Sequence, residues 1–445
     1  MSNAAALASA DAATLSTETI AAAVRALTPY MVTTLSDLVA APSPSGKEQP
    51  AVDVMERLLA ELGLASERIV LDSAALRSLP LYSPACCPDG GRYNLLATHR
   101  PAARGGRSVL FNGHLDVVPT GPESMWRRPP FAPYVEDGWL FGRGAGDMKA
   151  GIVCALAAYK ALRELGVQPA GAVGFNAVLE EENTGNGALA SVAALRHAVG
   201  AGKLASFDTV LIPEPLGEGL MSAQMGVFWM FVELTGHPAH AAYMTTGVNP
   251  IEAGVAVMAD LRELEAEWNL PENRPAVYRD HAHPINFNLG QIHGGEWNSS
   301  VPCTCTLGVR IGFYPHMDVN DAKAAVAARV RATVARLASN LSLEIRYEGF
   351  HAPGCEFDLE VPPMQALDAA HRKVHGVPAP RQASTATTDA RHFRLTLDTP
   401  VTCYGPEARN IHGIDESVSI ESMVRVATTF AQFLHDWCGV EPAVD

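Results

Sequence analysis

The chain has 445 residues, 48% hydrophobic and 18% charged, with 33 basic against 48 acidic side chains for a net charge of −15. At roughly 150 residues per domain this length allows two or three domains with a sizeable core; the composition excludes disorder, and a mean hydropathy of +0.06 excludes a multi-span membrane protein. The acidic balance argues against a nucleic-acid partner, because phosphates are met by an excess of Lys and Arg, and no membrane partner is expected.

The opening MSNAAALASADAATLS has no charged n-region and no unbroken apolar h-region, the first basic residue being Arg25. It is read as frayed or helical. Eight cysteines form no CxxC pair, so a reducing, cytoplasmic location is expected. Cys86-Cys87 reads as a loop pair, and Cys303 and Cys305, two apart, as packing residues on one face of a strand.

Along the chain, Val52, Met55, Leu58, Leu59 and Leu62 recur at helical spacing within 47–64, with Gly63 as a stop. Residues 107–113 read as a buried strand running straight into HLDVVPTG. The pattern repeats: 149–166 is a predicted helix, 172–179 a strand ending in Glu180-Glu181-Glu182, and 207–212 a strand ending in Pro213-Glu214-Pro215. Alternation of this kind predicts an α/β sheet whose ligands gather beyond the carboxyl ends of its strands. The next stretch changes style, with strands over 227–235, 285–292, 306–313 and 341–347 and helices over 251–268 and 321–339. That is a small βαββαβ unit inserted into the chain. A helix at 362–376, a strand at 400–404 and a helix at 418–437 return to the first style, so one domain is split around another.

The strand-end and loop groups His114, Asp116, Asp147, Glu181, Glu182, Glu214 and His412 make a zinc-type donor set of histidines and carboxylates. Singly, each has an ordinary structural reading, such as an acidic triplet matching a helix dipole. Their joint arrangement in one α/β domain points to a metal site. No GxSxG and no GxxxxGK[ST] is present, which removes the usual signatures of serine hydrolases and P-loop enzymes.

The ordered set LFNGHLDVVP, FGRGAGDMKAG, EEENTGNGA, LIPEP, TGHPAHA and NIHGIDESV resembles the zinc metallohydrolase family of aminoacylase, acetylornithine deacetylase, succinyl-diaminopimelate desuccinylase and bacterial glutamate carboxypeptidase, from Pro42 to His412. The resemblance implies a zinc-aminopeptidase-like α/β catalytic domain with a mixed sheet, interrupted by a ferredoxin-like α+β lid and dimerisation domain. The expected division is 1–222 and 351–445 for the catalytic domain and 223–350 for the lid. It implies two Zn²⁺ per chain, with Co²⁺ as a substitute: Asp147 bridges them, His114 and Glu214 complete one site, and Glu182 and His412 the other. Asp116 would accept the second imidazole N–H of His114, and Glu181 would be the general base. Glu180 stands where the family commonly has Asp, in a supporting role. A cis peptide at Asp147-Met148 is also implied.

By the same resemblance His240 reaches toward the oxyanion, often from the partner subunit, and Arg310 holds a substrate carboxylate. Two departures stand out. Ser299 occupies the place of a common Asn three residues before Pro302, with Asn298 adjacent, so either residue is a candidate substrate contact. The usual glycine-rich stretch is replaced by Ser384-Thr385-Ala386-Thr387-Thr388-Asp389, which points to a shifted substrate preference. The implied activity is a metal-dependent amidohydrolase cleaving an N-acyl amino acid or related small amide, of the deacetylase or desuccinylase type. A dipeptidase or carboxypeptidase, or an N-formyl or N-carbamoyl amide hydrolase, would use the same scaffold. An inactive binding protein is the alternative from another class. A homodimer is expected.

Overall fold

The structure, a computed structural model, describes residues 15–102, 105–201, 206–337 and 340–444. The opening read as frayed or helical lies outside the described residues up to 14; Ser16 caps the first helix, Thr17–Ala26.

Three apolar runs that end in polar clusters form the parallel centre of a six-stranded sheet. Val109–His114 lies between Val173–Val178 and Val210–Ile212, and Val401–Cys403 extends the parallel set beyond the latter. Tyr93–His99 and Ser66–Val70 add antiparallel strands on the other side, so the sheet is mixed. Every residue of Val109–His114 and Val173–Val178 is buried, Asn112 and Asn176 included; mostly apolar runs without alternation suit strands covered on both faces. The chain crosses from Val173–Val178 over the central strand to Val210–Ile212, so a crevice opens at the carboxyl end of Val109–His114.

Helices Ala150–Glu164 and Ile420–Phe433 pack on each other, while Asn186–Gly200 packs on the strands beside it. Sequence periodicity missed Asn186–Gly200, Thr17–Ala26 and Thr28–Ala40. Asn186–Gly200 and Thr28–Ala40 offer little contrast between apolar and polar positions, so tertiary burial decides them.

The inserted stretch folds as four antiparallel strands in the order Phe287–Gly294, Thr304–Phe313, Gly226–Thr235, Ser342–Ala352. Helices Pro250–Trp268 and Val319–Leu337 pack on this sheet, giving the ferredoxin-like order. Phe228, Leu234, Val257, Leu307 and Val326 belong to an apolar cluster separate from that of the first sheet. The expectation for the CxC pair needs correcting. Cys305 is buried on its strand, but Cys303 precedes Thr304 and is exposed, so the two do not share a packed face.

One close approach couples the sheet to the polar cluster. A Cβ added to Gly151, at the start of Ala150–Glu164, would lie 1.9 Å from the carbonyl oxygen of Pro213. The helix following Asp147 therefore rests backbone to backbone on the segment carrying Glu214. Gly151→Ala raises intrinsic helix propensity by about 1 kcal/mol; it will nonetheless destabilise the protein, by about 1–3 kcal/mol, because backbone cannot yield as a side chain can. Urea denaturation checks the sign, and a stabilised variant would refute the contact.

Candidate metal centre

The central strand delivers His114 into the crevice, fully buried. Its Nδ1 lies 2.9 Å from the carbonyl oxygen of Asp116. A carbonyl only accepts, so Nδ1 carries the hydrogen and Nε2 is the nitrogen turned toward Asp147, 3.1 Å from Oδ1. The N–H expected to go to the Asp116 side chain goes instead to its backbone carbonyl. The carboxylate stands 3.8 Å from Nδ1 and accepts the N–H groups of Glu181 and Glu182 at 3.2 and 3.1 Å. It fixes the loop that carries the next two acidic groups.

Asp147 follows Gly144, whose left-handed backbone opens a tight turn, and the Asp147-Met148 peptide is cis. The N–H groups of Gly144, Gly146 and Asp147 converge on the Glu416 carboxylate at 3.1, 2.9 and 3.0 Å. Arg143 Nη1 donates to the same group at 2.5 Å, and its Nη2 donates to the Gly413 carbonyl at 3.0 Å. One buried ion pair thus fastens the loop carrying Asp147 to the loop carrying His412. Neither Arg143 nor Glu416 was singled out from sequence, although both lie inside the quoted motifs; the only signal was a charged residue in each.

The glycines of EEENTGNG are sterically required. Gly185 has φ +71°, and a Cβ there would fall 1.9 Å from Arg391 Nη2; one on Gly187 would fall 1.9 Å from the Leu179 carbonyl oxygen. The turn after Val173–Val178 is thereby drawn tight, and Glu182 comes to 3.0 Å from His412 Nε2.

Two sets of donor atoms result, His114 with Asp147 and Glu214, and Asp147 with Glu182 and His412, each within 4.8 Å of one another. Asp147 belongs to both. Its Oδ1 faces His114 and its Oδ2 lies 3.3 Å from His412 Nε2. Glu181 belongs to neither, with Oε2 4.0 Å from His114 Nε2.

Burial pushes the Glu181 and Glu214 carboxyls well above the usual range and raises that of Glu182, with neighbouring carboxylates adding to the effect. Burial alone would depress His412, yet its hydrogen bonds to Asp147 and Glu182 bring it up to about 11. Carboxylates thus outnumber imidazoles in a water-poor crevice, which fits divalent cations, and the imidazole and carboxylate donors suit zinc-type ions.

A further carboxylate, Asp389, sits behind this cluster. Asn94 donates to Ser191 at 2.9 Å, Ser191 to Asn176 at 3.0 Å, Asn176 to Asn112 at 2.7 Å and Asn112 to Asp389 at 3.2 Å. The chain of donors runs one way, toward the carboxylate, while burial first of all lifts Asp389 to about 6.

The remaining candidates lie on the inserted unit. His240 is exposed, its Nδ1 accepts the Ala242 N–H at 3.0 Å, and its backbone bridges Ser300. Asn298 and Ser299 are exposed on the strand-connecting loop beside it, where the Ser299 carbonyl accepts the Ala241 N–H at 3.0 Å. Arg310, on Thr304–Phe313, makes no side-chain hydrogen bond or ion pair among the described residues, and burial lowers its pKa. Among the described residues no hydrogen bond or ion pair joins these groups to the donor sets.

This fold carries two adjacent donor sets of the kind that could hold metal ions. The chain belongs to peptidase family M20/M25/M40, whose sequence model matches residues 110–436, and it is a hydrolase acting on amide bonds. It is 29% identical over 358 residues to the N-formyl-4-amino-5-aminomethyl-2-methylpyrimidine deformylase of Bacillus subtilis (strain 168), covering 74% of this chain and 79% of that protein. It is 27% identical over 415 residues to the succinyl-diaminopimelate desuccinylase of Maricaulis maris (strain MCS10), covering 91% and 95%. Among solved structures it is similar to the dipeptidase Dug1p of Saccharomyces cerevisiae, with a TM-score of 0.80 at 16% identity over 95% of this chain and 98% of that one. Human carnosine dipeptidase 1 gives 0.74 at 18% over 95% and 99%. These two likenesses show the fold.

Because hydrogen bonds to Asp147 raise both His412 and His114, these imidazoles hold protons that a cation must displace, and metal loading at neutral pH will release protons and tighten as pH rises. Calorimetric titration with Zn²⁺ in buffers of different ionisation enthalpy measures the release. Zero net exchange would contradict these protonation states.

Proposed function

We propose that the protein is a deacylase of small N-acylated substrates, an N-acyl amino acid or a related amide, working with two Zn²⁺ per chain that Co²⁺ can replace. The observation that carries this reading is Asp147, whose two oxygens face His114 and His412 with Glu181 beside the pair and outside both donor sets. When bound, the two ions would polarise the amide carbonyl and lower the pKa of the attacking water. Every other task falls to side chains. His114, Asp147 and Glu214 hold one ion, and Asp147, Glu182 and His412 the other. Glu181 takes a proton from the attacking water and returns it to the departing amine nitrogen. Asp116 keeps the Glu181-Glu182 backbone in place.

In this reading His240 supplies a donor to the oxyanion. Its Nδ1 is occupied as an acceptor, so Nε2 carries the hydrogen. Arg310 receives the substrate carboxylate, for which a guanidinium without another partner is suited, and Asn298 or Ser299 meets the substrate beside it. The proposed domains are 1–222 and 351–445 around a lid at 223–350. A homodimer is supported by the edge strand Phe287–Gly294 and its surroundings, where Ile292, Trp297, Tyr243 and Met244 are 49%, 72%, 68% and 54% exposed. A cytoplasmic site is supported by eight free cysteines. Among the described residues no helix is long and apolar enough to cross a membrane.

Deacylation is preferred over peptide hydrolysis because a deformylase and desuccinylases are among the relatives similar in sequence along most of the chain. N-acetyl, N-formyl, N-succinyl and N-carbamoyl amino acids assayed beside dipeptides decide the point; turnover confined to dipeptides would overturn the deacylase reading.

Chelation will abolish activity and Zn²⁺ or Co²⁺ will restore it. Glu181→Gln will retain both metals and lose about 10² or more in kcat, whereas Glu182→Gln will chiefly weaken metal binding. The reverse pattern would exchange the two roles. His240→Ala will lower kcat by about 10²–10³ without loss of metal. If the histidine acts across a dimer, verified heterodimers of His240→Ala with Glu181→Gln will regain part of the activity, and failure to do so would place its action within one chain.

A further inference from the structure

Glu180 precedes the proposed base and has φ +65°, a left-handed conformation that a residue with a long side chain rarely adopts. Its carboxylate is gripped from two sides. Arg92 Nη2 donates to Oε1, and Thr184 Oγ1 donates to Oε2 at 2.7 Å. The other arm of the same guanidinium, Nη1, donates to Glu48 Oε1 at 3.0 Å, and Glu48 also accepts the Gly46 N–H at 2.6 Å. Arg92 Nε donates to the Pro88 carbonyl at 3.2 Å, so the fork itself is fixed. Side chains of Arg92, Glu48 and Glu180 are 10%, 0% and 2% exposed. The carbonyl of Glu180 accepts the N–H groups of Thr184 and Gly185 at 3.1 and 2.6 Å, closing the turn on which Glu181 and Glu182 sit. From this turn their N–H groups reach Asp116.

We propose that Arg92 is a positioning residue: through its bridge between Glu48 and Glu180 it holds Glu180 left-handed and thereby aims Glu181 and Glu182 at the metal centre. The inference rests on the roles given to Glu181 and Glu182 above. Without the bridge Glu180 relaxes toward negative φ, the turn rotates, and the two following side chains leave their places.

The test compares Glu180→Ala with Glu180→Gly. Both remove the same ion pair, but only glycine adopts positive φ without steric cost. Zn²⁺ titration against a chromophoric chelator reads the geometry without turnover: Glu180→Ala weakens one of the two sites by about tenfold or more, and Glu180→Gly stays within about threefold of the parent, as for other residues that orient ligands. At saturating metal kcat follows the same order while KM is unchanged. Arg92→Met resembles Glu180→Ala, and combined with Glu180→Gly it is no worse than Glu180→Gly alone. Equal losses in the alanine and glycine variants, or a folded Arg92→Met with parental metal affinity and kcat, would overturn the proposal. If Arg92→Met does not fold, the Glu180 pair decides. A parent protein that binds two metals yet hydrolyses no amide would instead overturn the functional reading, and the chelator titration would still judge the positioning of Glu182.

Discussion

The Asp147 carboxylate, shared between two sets of donors, is the constraint on which the structure turns. Concentrating Asp147, Glu181, Glu182 and Glu214 in a largely buried site is costly unless cations compensate, and the surrounding chain is organised to hold that arrangement. It does so largely with backbone groups. Glu416 gathers the N–H groups of the Asp147 turn, and Asp116 those of Glu181 and Glu182. The Asp147 turn and the Glu181-Glu182 turn are thus each pinned by another buried acid that is not itself a member of either donor set.

Sheet topology explains why distant segments can cooperate. Adjacent parallel strands end at one edge, so His114, the Glu181-Glu182 pair and Glu214 arrive together without long connections. His412 and Asp147 have no such support from strand ends. They come from loops, and the buried Arg143–Glu416 pair joins those loops from positions 273 residues apart. Removing one member of such a pair leaves the other charge buried alone, typically about 3–5 kcal/mol; the pair therefore maintains the geometry of the centre as well as the fold.

The pool of candidate donors was legible in the sequence because each follows an apolar run or sits in a glycine-bounded motif, while its division into two sets came only from the family resemblance; the α/β and βαββαβ patterns were legible from the change in periodicity. What escaped was long-range pairing. Arg92 and Glu48 sit in unremarkable loop and helix-start sequence, and nothing local marks them as partners of Glu180. Asp116 was expected to accept the second N–H of His114, but sequence spacing could not distinguish its carbonyl, at 2.9 Å, from its carboxylate, at 3.8 Å, as the nearer acceptor. His240 and Arg310 lie on the inserted unit, and among the described residues neither makes a hydrogen bond or ion pair to the donor sets.

The central claim is that Asp147 lies between two cations. Anomalous diffraction from the Zn²⁺-loaded protein tests it directly. The account predicts two peaks about 3.5–4 Å apart, one beside His114 and Glu214 and the other beside Glu182 and His412, with one Asp147 oxygen toward each. A single peak at saturating metal, or two peaks that do not share Asp147, would contradict it.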